Sequence, residues 1–377
     1  MNSYEIYGND EVFRALIQNQ LTELEDDRIR EVANHGFQYR KGLEEIRLPS
    51  CQKINGYGII YCSDLKILDI GAPCDIVSSA IQNCYKLHSI ILRSTEEASY
   101  VGSWGFGAYA LLGGHGAIYV PKSLMAEYRQ KWSEGWKFRG STHNATPYMI
   151  GYLQALEDYP ATDFSTIPLT WTQIKAGVED GSFFTSGYMV GDMKKLEYGQ
   201  HTIYMKLARM DAENHYVEFL AINIAETVSL SAQSAIVLPY SESLHKARLE
   251  TIYSSEIPNE LKMVIAPVTK RYASAIQEGY EDVTMHLWTP SAKEIGATGS
   301  RVATETGTVY EIFRQVSPVQ FFSADPTLES YTPMTFWIPT SYLSGTSSSY
   351  YNNSNGTSSI LTAQHGLLFG FRIAKTT

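Results

Sequence analysis

The sequence predicts a multidomain α+β protein: a short solenoid with a 22-residue period, followed by a mixed α+β domain. Three observations predict it. Apolar residues recur at a lag of 22 in the N-terminal third. Beyond residue 166, helix-period segments alternate with strand-like apolar/polar alternation. Finally, 44% hydrophobic and 19% charged residues over 377 positions make an ordinary folding composition, long enough for two or three domains.

Composition also narrows the function. Thirty Lys plus Arg against forty Asp plus Glu leave a formal charge of -10, which repels a phosphate backbone and argues against nucleic acid and anionic membranes as partners. No apolar stretch is long enough to span a bilayer, so no membrane insertion is expected. The start, MNSYEIYGND, has neither a basic nor an apolar leader region, so the expectation is a chain that is neither anchored nor exported through a signal peptide. All four cysteines, Cys51, Cys62, Cys74 and Cys84, fall within one short stretch, so disulfides do not hold the rest together. Tyrosine is abundant, 26 against 14 Phe, and combines apolar area with a polar tip suited to binding surfaces.

The elements follow in chain order. Residues 1–20 precede the first repeat and keep Val12, Leu16 and Ile17 at helical spacing, as a cap or docking segment would. Residues 21–138 are read as the solenoid with its C-terminal cap. Leu21, Leu43, Leu65 and Leu87 are each 22 apart, as are Leu24, Ile46, Leu68 and Ile90. Val32, Ile54 and Ile76, and Phe37, Ile59 and Ile81, keep the same spacing. Within each coil a run such as Leu43-Ile46-Leu48 reads as a short strand with a buried face. Cys62 and Cys84 share the lag of 22 and are expected to stack as buried thiols. A disulfide or metal site is the alternative, though no paired C-x-x-C supports metal. After Leu92 the register lapses. The glycines of 102–107 and 113–116 lack the strand, helix and acidic residue of a dinucleotide loop. Ala117 to Val120 then offer a last strand, followed by Pro121 and an amphipathic helix that caps the exposed apolar end. Residues 139–165, rich in Gly, Ser, Thr and Pro, read as a linker.

Residues 166–377 form the second domain. LTWTQIKAGVEDG reads as a helix starting near Thr170, HTIYMKLARMD and HYVEFLAINIAETVSL as antiparallel strands, and HKARLETIYSSEIPNELKMVIAPV as two helices joined near Pro258. MTFWIP and GLLFGFRIA supply further strands.

Two resemblances add to this reading. YCSDLKILDI and NCYKLHSIIL, with the Leu-Pro step of IRLPSCQKI, resemble the BspA-like class of leucine-rich repeats, over about residues 21 to 121. The aromatic of that class survives only at Phe37, with Ile59 and Ile81 below it, which implies narrower coils. In the second domain, LTWTQIKAGVEDG, SGYMVGDMKKLEYG, LWTPSAKEIG, FWIPTSYLSGTSSSYYNNSNGTSS and GLLFGFRIA occur in the order of a domain found in tail and adsorption proteins of phages of Gram-positive gut bacteria. That domain is similar to the C-type-lectin-like fold, whose last strand in the tropism-determinant branch carries Gly-Phe-Arg, as Gly370-Phe371-Arg372 do here. The formylglycine-generating branch works through cysteine, and this domain has none, so its oxidase chemistry is not implied. The calcium and sugar motifs of animal lectins are also missing; Ile257-Pro258-Asn259 only grazes them.

No catalytic signature accompanies the fold. H-E-x-x-H, G-x-S-x-G, G-x-x-x-x-G-K and an EF-hand loop are absent, and the nine histidines are scattered. Glu179-Asp180 and Glu281-Asp282 read as solvated charge, with paired carboxylates as the catalytic alternative. The expectation is a protein that is not an enzyme and uses no cofactor and no metal.

The most biased segment is 341–359, with eight Ser, three Tyr, three Asn, two Thr, two Gly, one Leu and no charge. A solvated loop is its ordinary reading. It is also the composition of an antibody paratope, in which tyrosines anchor and small polar residues adapt. Tyr342, Ser348, Tyr350, Tyr351, Asn352, Asn353, Asn355 and Thr357 are the candidate ligand-binding residues. Replacing adenines of an Asn codon yields Tyr, Ser, Thr or Gly, so this composition also suits diversification by a retroelement, as in phage tropism determinants. The functional expectation is a phage tail or adsorption protein, located in the virion and assembled in the host cytoplasm, that recognises a bacterial surface receptor, glycan or protein. Other virion tail proteins are the expected assembly partners, and the uncharged tyrosine-rich surface is compatible with a homotrimer. A bacterial cell-surface adhesin or sensor built from the same repeats is the alternative, as is a purely structural tail component.

Overall fold

The computed structural model describes residues 15, 18–77, 79–101, 116–134, 152–159, 165–221, 223–229, 239–274, 279–291, 293–295, 305, 307, 308 and 310, then 321–323, 333–334, 336–341, 349–352, 358–359 and 365–376. The chain divides into two compact units, Met1–Phe164 with Thr327–Tyr331 and Ser165–Pro326 with Thr332–Thr377.

The first unit is a short β-solenoid whose coils stack in the predicted register. On its first face Glu23–Glu25, Glu45–Leu48, Ile67–Ile70, Ser89–Leu92, Ala117–Val120 and Tyr152–Ala155 form a six-stranded parallel sheet. Leu24 pairs with Ile46, Ile46 with Leu68 and Leu68 with Ile90, each one period on. A second face stacks Glu31–Val32, Lys53–Ile54, Asp75–Ile76 and Tyr100–Val101, also in parallel. A third pairs Ile59–Ile60 with Ile81–Gln82. The sequence columns are therefore the sides of one closed core: Leu43, Ile46, Leu48, Ile54, Ile59, Leu65, Leu68, Ile76, Ile81, Leu87 and Ile90 are fully buried. Leu21 is only partly buried, packed against the edge of this cluster.

All four cysteines are buried free thiols inside the solenoid. Cys62 Sγ donates to the Phe37 carbonyl at 2.8 Å, and Cys84 Sγ to that of Gln82 at 3.3 Å. Sharing a hydrogen bond with Cys62, and then burial, hold the Cys84 thiol protonated well beyond its usual range, so it is a packing group and not a nucleophile. Gly71 stands where the coils turn; a Cβ there would lie 2.3 Å from the Pro49 carbonyl oxygen, and only glycine fits.

After the repeats come the strand Ala117–Val120, read from the sequence as the last of the sheet, and the helix Met125–Glu134. Tyr128 of that helix is fully buried, and its hydroxyl accepts from the Ser99 amide at 2.7 Å. One finding differs from the sequence reading: Tyr152–Ala155, inside the stretch read as a linker, adds the sixth strand. Apart from Ala15, helical, the positions of the N-terminal pattern, including Val12, Leu16 and Ile17, lie outside the described residues, as does the glycine loop from 102 to 115.

The second unit is rich in strands, with few helices, where the sequence suggested a more even mixture. Met193–Tyr198, His201–Asp211, Tyr216–Ala221, Gly370–Ala374 and Ile265–Ala266 form an antiparallel sheet in that order, with a register shift between Leu207 and Arg209. Against it packs the helix Trp171–Asp180, started by a Thr170–Gln173 capping box and ended by Gly181 at φ 87°. Its Trp171 meets Phe219 and Phe371 edge-on, both at 5.4 Å. The stretch read as two helices becomes Leu244–Thr251, a wide turn at Ile252–Glu256, and the single turn Asn259–Lys262 after Pro258. The hairpin Val268–Ser274 with Gly279–Met285 forms a separate two-stranded sheet.

Candidate functional site

Three of the predicted binding residues lie on a described strand. Thr227–Val228, His365–Gly366, Phe336–Ser341, Ser349–Asn352 and Ser358–Ser359 make a five-stranded sheet in that order, with Ser358–Ser359 outermost and Ser349–Asn352 paired on both sides. Tyr350, Tyr351 and Asn352 lie on the fourth of these; Tyr351 is opposite Trp337, Asn352 opposite Phe336 and Tyr350 opposite Ser358. Tyr342, Ser348, Asn353, Asn355 and Thr357 lie outside the described residues. The described parts of the uncharged segment are therefore two antiparallel strands, the outer of which ends the sheet among the described residues, the kind of position at which another chain can add.

The Gly-Phe-Arg strand proves to be a core element. A Cβ on Gly370 would stand 2.6 Å from the Phe219 carbonyl oxygen and 2.8 Å from the Trp288 ring, so glycine is required by close approach. Phe371 is fully buried. Arg372 grips the fully buried Glu218 through Nε at 3.0 Å and Nη2 at 2.6 Å, and the Tyr310 hydroxyl donates to the same carboxylate at 2.9 Å. Burial raises the Glu218 pKa, but Lys270, Arg372 and Arg209 outweigh it and hold the carboxyl below its usual range. Lys270 donates to the buried Glu294 at 2.5 Å and lies 4.0 Å above the Trp288 ring. Paired on every side, this network orients the last strand; it is a scaffold for the unit, and sequence reasoning singled out only Arg372 of it.

The acidic pairs are engaged in hydrogen bonds and ion pairs. Glu179 accepts from Thr376 at 2.7 Å and pairs with Lys175 at 3.0 Å, and Asp180 accepts from the Ser182 amide at 2.8 Å. Glu281 accepts from the Tyr240 amide at 2.8 Å, and Asp282 pairs with Arg271 at 2.8 Å. Among the described residues no group of three or more His, Cys, Asp or Glu could hold a metal ion, and no helix is long and apolar enough to cross a membrane.

A second surface escaped the sequence reading. On the third face of the solenoid His35 stacks on Tyr57, ring centroids 5.6 Å apart, and Tyr39 stacks on Tyr61 at 4.8 Å, both pairs nearly parallel. Tyr39, Tyr57 and Tyr61 are 56%, 43% and 38% exposed. All four aromatics have left-handed backbone, with φ of 61°, 58°, 56° and 57° for His35, Tyr57, Tyr39 and Tyr61. In the next coil Ser79 and Asn83 take the same conformation, φ 60° and 52°. The stacking coil therefore imposes the φ: the His35 amide donates to the Tyr57 carbonyl at 3.1 Å, and the Tyr57 amide to that of Ser79 at 2.8 Å. Left-handed backbone costs a bulky residue about 1 kcal/mol or more, and Asn or Gly less. Ring stacking returns about 0.5–1.5 kcal/mol for each pair of residues. Two left-handed residues in each pair cost more than one stacked contact returns, so stability does not explain four aromatics here. The signal was present in the sequence as a lag of 22 between His35 and Tyr57 and between Tyr39 and Tyr61.

Comparison with known proteins adds no relative: no family model, no curated protein and no solved structure matches the chain.

Proposed function

We propose that this is a recognition protein of the phage tail or adsorption type, which displays its second, lectin-like unit against a receptor on a bacterial surface and carries the repeat solenoid as a stalk or additional contact. The observation that carries the reading is the placement of the uncharged Ser/Tyr/Asn segment on the outer two strands of a sheet, Ser349–Asn352 and Ser358–Ser359. Tyrosines set among small polar residues supply contact area at low entropic cost, and an edge of this kind accepts a receptor without rearrangement of the core. The segment is read as a region open to diversification, because its composition can change while the buried Glu218–Arg372 scaffold stays fixed. The function is binding, without catalysis or cofactor, and assembly with other tail proteins follows from it.

The test is adsorption of the labelled full chain to a panel of Gram-positive gut bacteria. The triple variant Tyr342→Ser, Tyr350→Ser and Tyr351→Ser is expected to lose adsorption and keep the wild-type melting temperature. Equal adsorption by the variant, or no adsorption of the wild type to any strain, rejects the reading.

A further inference from the structure

The third face of the solenoid is free of charge across three successive coils. Segments 33–39, 55–61 and 77–83 contain no Asp, Glu, Lys or Arg, whereas Glu31, Arg40, Lys53 and Asp64 stand just outside them. Glu31 is engaged with Asn55 at 2.6 Å, and Asp64 with Lys86 at 2.9 Å. What this face offers instead is the two stacked columns, with the amides of Asn34, Gln38, Gln82 and Asn83 in the same segments. Asn34, His35, Tyr39, Tyr57 and Tyr61 are exposed.

We propose that this face is a binding site for an uncharged glycan chain, contacted by Tyr39, Tyr61, Tyr57 and His35. The chemistry fits in three respects. A sugar ring presents an apolar C–H patch bordered by hydroxyls that donate and accept, and tyrosine edges with amides present the complement. Stacking fixes each column, so the rings are already ordered before binding and little side-chain entropy is lost. The 4.8 Å step from Tyr39 to Tyr61 is the coil spacing, so an extended chain lying along the solenoid meets an aromatic pair on two successive coils and the small polar Ser79 and Asn83 on the next. An anionic polymer would find no cation within these segments, which sets the ligand class as neutral. This site is independent of the 341–359 segment and stands whether or not that segment binds.

The experiment is affinity electrophoresis of the full chain through gels containing soluble neutral polysaccharides (a β-glucan, a mannan and a galactan), with polygalacturonate as the anionic control. At least one neutral polymer should retard the protein, equally at low and high salt. The double variant Tyr39→Asn/Tyr61→Asn should weaken that retardation by about tenfold or more without lowering the melting temperature, because Asn accepts left-handed backbone and Asn83 already does so. If the Asn variant proves unstable, Tyr39→Phe/Tyr61→Phe keeps the rings and removes the hydroxyls, and should weaken retardation in part. Tyr100→Ser, an exposed tyrosine on the second face, should leave it unchanged, which separates this face from the rest of the solenoid surface. The proposal is overturned if no neutral polymer retards the protein, if only polygalacturonate does, if the folded tyrosine variants run as wild type, or if the Tyr100 variant alone loses retardation.

Discussion

Glu218 and His245 are buried groups whose ionisation folding perturbs. Burial pushes the His245 pKa from 6.5 down to about 3, so the folded state keeps the ring neutral. Its Nδ1 lies 3.0 Å from the Tyr240 hydroxyl, while its Nε2 is buried with no hydrogen-bond partner among the described residues. Below pH 6.5 the unfolded chain takes up a proton that the folded one refuses, so stability falls with pH by about 1.4 kcal/mol per unit until the folded pKa is reached. Between pH 7 and 5 this contribution loses about 2 kcal/mol. His245→Phe should flatten the melting temperature across that range; an unchanged slope would assign the pH dependence to other groups. Glu218 has a depressed folded pKa, so its stabilisation is complete above the usual carboxylate value of 4.5 and fades as pH drops through the lower folded value. Glu218→Leu at neutral pH leaves Arg372 and Tyr310 without their shared acceptor and should destabilise the second unit by about 3–5 kcal/mol in denaturant titration. Of this cluster only Arg372 was legible in the sequence. Its partner lies 154 residues away, and nothing local marks a carboxylate that becomes buried only when distant strands pair.

At the scale of elements, a coil of the solenoid is specified by columns that anyone can count. The lag of 22 placed Leu43, Leu65 and Leu87 in one buried column before any coordinates, because parallel stacking puts each residue on its equivalent. Leu65→Ala should cost about 2–5 kcal/mol, and Leu65→Asp should prevent folding of the coils, since it sets an unpaired charge in a dry core. Gly71→Ala should destabilise as well, because the Pro49 backbone leaves no room for a methyl group. Circular dichroism with thermal melting measures all three, and a Leu65→Asp solenoid as stable as wild type would contradict the register. Where the period ends, legibility ends too. Ile90 pairs with Ile118 and Ile118 with Leu153 across intervals longer than 22, so the last strand hid within a stretch that reads as linker. The stacked aromatics were in register and still missed, because a search for the core weighs apolar columns and passes over exposed ones.

For the molecule as a whole, two units with separate cores predict two unfolding transitions in calorimetry. Leu65→Asp should remove the first and leave the second in place; Glu218→Leu should lower only the second. A single transition shifted by both variants would show one cooperative core. Local patterns predicted the strands 201–211 and 216–221 and the helix 171–180 of the second unit well. Its topology was not legible, because the sheet joins Tyr216–Ala221 to Gly370–Ala374 and then to Ile265–Ala266, out of chain order. The proposed function puts recognition on the uncharged, tyrosine-bearing outer two strands of a sheet in the second unit. Hydrogen exchange of the full chain, free and bound to cell envelopes of a strain that adsorbs it, tests this most directly. The account predicts new protection in peptides spanning 336–359, with the core strands 201–221 and 370–374 unchanged. Binding without any new protection in 336–359 would contradict it.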